Sequence, residues 1–183
     1  FRHRGIEPVP PTDLLDFLAE RLRVQLRTEG ARHDVLAAVF AAGADDDLTR
    51  LLARTDAVTT FLGTEDGANL LTAYRRAANI LRIEERKDGP FDTAPDPALL
   101  REPAELDLDH AIRQGNVVSA LLDREDFAGA MGTMAGLRAP LDGFFTHVTV
   151  NAPEPDLRRN RLRLLNQVRS TMDRVADFAR IEG

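Results

Sequence analysis

Residues 64–82, Thr64-Glu65-Asp66-Gly67-Ala68-Asn69-Leu70-Leu71-Thr72-Ala73-Tyr74-Arg75-Arg76-Ala77-Ala78-Asn79-Ile80-Leu81-Arg82, read as one amphipathic helix. Leu70, Leu71, Tyr74, Ala77, Ala78 and Leu81 recur at steps of three and four and so line one face. Arg75, Arg76, Asn79 and Arg82 fall on the borders of that stripe or on the opposite face. Thr64 is suited to accept amide hydrogens at the first turn. An apolar stripe of this kind must be covered by neighbouring elements, so the rest of the chain has to supply them.

It does so almost entirely with more helices. After Pro8-Val9-Pro10-Pro11, Thr12 caps a segment in which Leu14, Leu15, Leu18, Leu22 and Leu26 keep helical spacing up to Gly30. A second helix runs over about 32–42, with Val35, Leu36, Val39 and Phe40 inward. Asp45-Asp46-Asp47 opens a third that carries Leu48, Leu51, Leu52, Val58, Phe61 and Leu62 toward Gly63. Helical periodicity returns over 106–122 and 126–137, where Gly129, Gly132 and Gly136 would let backbones approach closely. Pro140 is expected at the first position of a short helix containing Leu141, Phe144 and Phe145. A last helix is expected from Asp156 to Arg180, about 37 Å at 1.5 Å per residue. Val148 and Val150 are too few for a strand. The prediction is an all-α bundle forming a single domain over 1–183, with one acidic, Pro-rich loop or insertion at 88–105, where Pro90, Pro95, Pro97 and Pro103 oppose regular structure.

Composition agrees. The chain has 183 residues, 43% of them hydrophobic and 30% charged, and no cysteine or tryptophan. A chain of this length buries roughly 70% of its extended-state surface and needs no disulfide or structural metal to hold a core. Without cysteine it has no thiolate-metal or thiol-nucleophile chemistry. Charges interrupt every apolar run well short of the roughly 20 residues that span a bilayer, so no membrane partner is expected. Phe1 is not an initiator and no signal-like apolar segment follows it, which reads as a piece of a longer chain.

The net charge of -6 argues against a nucleic-acid partner until it is resolved along the chain. Residues 88–126 carry ten acids against Arg101, Arg113 and Arg124, whereas residues 156–183 carry seven arginines against four acids. Catalytic constellations are missing. His3, His33, His110 and His147 are isolated, Lys87 is the only lysine, and no phosphate-binding loop precedes it. Asp107, Asp109, His110 and Arg113 form the best acid/base cluster, but no nucleophile or oxyanion motif accompanies them. Residues 84–88 read as a solvated, charged helix end.

The arginines of the last helix are denser. At 100° per residue, Arg159, Arg163, Asn166 and Arg169 form one band, a combination of cations for phosphates and amides for base edges. Arg161 sits toward another side and could pair with a buried acid, Asp142 being a candidate. Arg75, Arg76, Asn79 and Arg82, with Arg86, make a second strip. Packed side by side, the two helices would form one groove for an RNA loop; the other reading is an ordinary helical interaction surface whose arginines cover apolar neighbours. Tyr74 and Phe91 are possible stacking groups or core. Phe144 and Phe145 cannot point the same way, so at least one packs inward.

Residues 137–150, Leu137-Arg138-Ala139-Pro140-Leu141-Asp142-Gly143-Phe144-Phe145 through Val148-Thr149-Val150, and Asn160-Arg161-Leu162-Arg163-Leu164-Leu165 resemble the end of the anticodon-binding domain of arginyl-tRNA synthetases, a class I synthetase domain. Phe17-Leu18-Ala19-Glu20-Arg21-Leu22, Gly30-Ala31-Arg32-His33-Asp34-Val35, Tyr74-Arg75-Arg76-Ala77-Ala78-Asn79-Ile80-Leu81 and Val175-Ala176-Asp177-Phe178 are more closely similar to the carboxy-terminal region of bacterial glycyl-tRNA synthetase beta subunits. That resemblance implies a cytoplasmic module that recognises the anticodon region of glycine tRNA. It also implies assembly with the remainder of the beta subunit and with a separate alpha subunit, which uses ATP and joins glycine to the tRNA. The segment itself is then expected to be non-catalytic and without a cofactor. The runner-up is a helical assembly domain with little direct RNA contact.

Overall fold

A computed structural model describes residues 33–43 and 47–182, together with Phe17, Glu20, Arg21 and Val24. The expected first helix, from Thr12 to Gly30, otherwise lies outside the described residues, although those four positions are helical. The described chain contains eight α-helices: α1 (His33–Ala41), α2 (Leu48–Leu62), α3 (Glu65–Asp88), α4 (Pro103–Gly115), α5 (Val118–Asp123), α6 (Phe127–Ala135), α7 (Arg138–His147) and α8 (Pro155–Asp173). Short 3₁₀ turns stand at Pro97–Leu99 and Phe178–Arg180, and the described residues include no strand. None of their helices is long and apolar enough to cross a membrane. The expected all-α helical bundle is therefore the observed fold.

Helix α3 is its axis. It packs against α2, α7 and α8, and Leu70, Tyr74, Ala77 and Leu81 are buried along it. The Thr64 Oγ1 accepts from the Gly67 amide at 3.1 Å and donates to the Phe61 carbonyl at 2.6 Å, so one hydroxyl caps α3 and ties it to the end of α2. A Cβ on Gly67 would stand 1.9 Å from the Phe61 carbonyl oxygen, which requires glycine at this join. Helix α8 lies antiparallel to α3: its first turn meets Asp88, and its last residue, Asp173, accepts from the Tyr74 hydroxyl at 2.8 Å.

Three expected boundaries shift. The 106–122 segment is two helices, broken at Asn116 and Val117 directly after Gly115, the last residue of α4. Helix α7 starts at Arg138, placing Pro140 third rather than first. Amides of a helix's first turn have no intrahelical acceptor, so the missing proline N–H costs no hydrogen bond there. The last helix stops at Asp173 instead of running to Arg180, because the chain turns back: the Asp177 amide donates to the Ala38 carbonyl of α1 at 2.8 Å.

The expected 88–105 loop spans only 89–102, because Asp88 ends α3 and Pro103 opens α4; it contains one 3₁₀ turn and is anchored at both sides. Phe91 is buried, and the fully buried Asn160 of α8 clasps the Asp96 backbone, accepting from its amide at 2.6 Å and donating to its carbonyl at 3.1 Å. At the loop's end, buried Glu105 receives the Arg101 and Glu102 amides, both at 2.8 Å, and caps α4.

Candidate nucleic-acid interface

The eight candidate residues divide between the two central helices, and their environments differ. On α3, Arg75, Arg76, Asn79 and Arg82 are all exposed, and Arg86 extends the strip toward the helix end. Helical spacing sets Arg75, Asn79, Arg82 and Arg86 on one stripe, with Arg76 and Ile83 along its edge. Arg75 donates to the Ile181 carbonyl. Arg82 donates to the Asn79 Oδ1 at 2.8 Å, while Arg76 lies over the Phe145 ring at 4.3 Å from its centroid. Among the described residues none of Arg75, Arg76, Arg82 and Arg86 pairs with a carboxylate, so this strip keeps its positive charge.

On α8 the arginines mostly turn inward. Arg169 pairs with Glu85 of α3 at 2.6 Å and donates to buried Asn166 at 2.6 Å. Arg159 reaches Asp88 at 3.3 Å and lies over Phe91. Arg163 is half-buried, and its Nε is enclosed without a hydrogen-bond partner. Arg158, outside the predicted band, is the hub: it grips Asp88 with two nitrogens at 2.8 and 3.0 Å and also reaches Glu84.

These contacts overturn the reading of 84–88 as a solvated end. Glu84 is buried, held by Lys87 at 2.8 Å and by Arg158. The Lys87 and Arg158 hydrogen bonds keep its carboxyl below the usual range, and Arg158 does the same for Asp88. Arg161 does not pair with Asp142. It is buried against Glu105 at 2.8 Å and donates to the Thr149 carbonyl at 2.8 Å, whereas Asp142, on half-exposed α7 surface, pairs with Arg138 at 3.2 Å. Arg161 thus joins α4, α8 and the 148–150 segment.

Neither Tyr74 nor Phe91 is available for stacking. Tyr74 is buried against Phe178, with ring centroids 5.8 Å apart; burial, then the neighbouring Asp173 charge, pushes its phenol above the ordinary range. Asp173 is in turn raised, mainly by burial. Phe144 is also buried. Phe145 is the half-exposed member of that pair, 5.9 Å from Phe144 in an edge-on arrangement. The acid/base cluster divides: Asp109 binds Arg113 at 2.8 Å, while Asp107 and His110 line a groove of about 970 Å³ between α4 and α7. Among the described residues no three His, Asp or Glu side chains gather as a metal site.

An exposed arginine strip on the central helix of an all-α bundle agrees with what sequence comparison returns. Residues 70–181 match the DALR anticodon binding domain. The chain belongs to this family. The matched span of the DALR domain runs from the second turn of α3 through the final 3₁₀ turn and so contains the whole exposed strip and all of α8. Over 174 residues the chain is 53% identical to the glycine–tRNA ligase beta subunit of Rhodospirillum centenum, covering 93% of this chain and 24% of that protein. The beta subunit of Phenylobacterium zucineum is 51% identical over 178 residues, covering 93% and 26%. That of Ruegeria sp. is 46% identical over 182 residues, covering 98% and 26%. The chain therefore spans about a quarter of the length of the curated relatives it matches.

Proposed function

We propose that this DALR domain is the tRNA-recognition module of a glycine–tRNA ligase beta subunit and that it holds the anticodon region of glycine tRNA. The identity of 53% with such a subunit across nearly the whole chain carries this reading. In it, the α3 strip of Arg75, Arg76, Asn79, Arg82 and Arg86 faces the RNA. On α8, Arg163 stays half-buried, while Arg159 and Arg169, the latter braced by Asn166, hold α8 against α3. Glycine activation with ATP belongs to the alpha subunit of the cytoplasmic assembly, and this chain contributes binding and no chemistry of its own.

The test compares three RNAs at matched low salt on the full ligase: glycine tRNA, a non-cognate tRNA, and glycine tRNA with a substituted anticodon. Tighter binding of the first is expected, and loss of that preference when Arg75 and Arg76 are replaced by glutamine. Equal affinity for all three defeats the proposal. A second reading, a helical assembly domain, is favoured by the inward ion pairs of Arg158, Arg159 and Arg169. It predicts that the same α3 substitutions change subunit association and leave RNA affinity unaltered.

A further inference from the structure

The geometry points to a base-stacking platform at one edge of the α3 strip. Resting on the tRNA-binding reading above, we propose that Arg76, seated over Phe145, receives one unpaired base of the RNA loop, with Asn79 and Ile83 beside it. Arg76 lies over the Phe145 ring at 4.3 Å from the centroid. Phe145 is itself braced by the buried ring of Phe144. A guanidinium is planar and has two faces. Phe145 occupies one, and because Arg76 is exposed and has no hydrogen bond or ion pair among the described residues, the other is open. Unpaired RNA bases stack on arginine planes as they do on aromatic rings.

The neighbours suit the same ligand. Arg76, Asn79 and Ile83 follow steps of three and four along α3 and form one row. The Asn79 carbonyl oxygen accepts from Arg82, which orients the amide and leaves its NH₂ group to donate to a base edge. Ile83 is 41% exposed, an apolar surface within an otherwise charged strip that a base or ribose would cover. Arg82 and Arg86 flank this row at phosphate-binding positions. The arrangement separates tasks: Arg76 takes a base plane and its neighbours take phosphates.

The experiment uses the full ligase and a stem-loop RNA of the glycine anticodon arm, intact or with an abasic site at each loop position in turn. Arg76→Lys keeps the charge and removes the plane; Phe145→Leu keeps apolar packing and removes the ring beneath it. Each should weaken intact RNA by roughly tenfold or more, the size of one lost base stack. For Arg76→Lys the dependence of affinity on salt should stay as in the parent, since no charge is removed. At one abasic position the parent and Arg76→Lys should bind equally. Unchanged affinity of Arg76→Lys for intact RNA, or a penalty that persists at every abasic position, overturns the platform. If the parent binds no stem-loop at all, the tRNA-recognition reading falls and takes the platform with it. Arg76→Lys lies on an exposed position, so it remains decisive even where Phe145→Leu lowers stability.

Discussion

Helices α3 and α8 carry similar sets of arginine and asparagine and use them in opposite ways. On α3 they are exposed and none pairs with a carboxylate among the described residues, and on α8 they reach across to Glu84, Glu85 and Asp88 or down to Glu105. Where a helix lies in the bundle decides the role of its charges. Helix α8 is buried on most sides, and an arginine there must find an acceptor or desolvate at high cost. Helix α3 has one face on the core and one in solvent. Its acids stand at its two ends, Glu65 and Asp66 in the first turn and Glu84, Glu85 and Asp88 in the last turns where α8 arginines pair with them, so the strip between is left cationic although the chain as a whole is acidic.

The comparison would break most visibly at Glu105. Removing it leaves the buried Arg161 guanidinium without its carboxylate and the Arg101 and Glu102 amides without their acceptor, so Glu105→Ala should lose about 3–5 kcal/mol of stability, read by chemical denaturation. Replacing Glu105 and Arg161 together with methionine should recover part of that loss, because no charge then remains buried. An equally stable Glu105→Ala protein would mean that α8's arginines are not held as described.

Asn160 comes next. It is fully buried and closes two hydrogen bonds on Asp96, so Asn160→Ala should cost about 1–3 kcal/mol and expose the loop to limited proteolysis. Unchanged cleavage of residues 89–100 would show that the loop is held by Phe91 alone.

These two residues also mark where sequence reading stops. Apolar spacing located the described helices except that 106–122 read as one helix where there are two, and Thr64 was legible as a cap because its chemistry is local. The Arg161 partner was not legible, since Glu105 lies 56 residues away and only the packing of α4 on α8 brings them together. The end of α8 was hidden for the same reason: Arg174, Val175 and Ala176 contain no helix breaker, and it is the bond from Asp177 to Ala38 that draws the chain out of line. In the candidate site, residue types were readable and exposure was not. Arg158, outside the band, and Arg159 and Arg169, within it, all bind carboxylates of α3, and a band drawn at 100° per residue cannot say which side meets α3.

A weaker effect, visible through pH, tests the α3–α8 clamp. Glu84 has a lowered pKa in the fold, so its contribution is fully present above its unfolded value and disappears as pH falls through the folded one. Arg158→Met removes part of that lowering. The melting temperature of the variant should lie below the parent's at neutral pH, and the gap should narrow in acid. Asp173 works in the opposite sense: its raised pKa disfavours the charged form in the fold, so protonation relieves it as pH falls. A gap that is constant across pH would indicate that Arg158 acts through packing of its stem and not through Glu84.

The smallest stability change belongs to the strip itself, and for that reason it separates the helices most cleanly. Arg82 and Arg86 are exposed, and among the described residues the one hydrogen bond either makes is that from Arg82 to Asn79. Replacing both with glutamine should alter stability by less than about 0.5 kcal/mol. If they hold phosphates, tRNA affinity should nevertheless fall, and the slope of log affinity against log salt should drop by about one for each arginine lost. The matching change on α8, Arg158 and Arg169 to glutamine, should show the reverse: lower stability and an unaltered salt slope in the folded protein. Should the α8 pair change the slope and the α3 pair leave it untouched, the RNA lies against α8, and the ion pairs with Glu84, Glu85 and Asp88 must open when it binds.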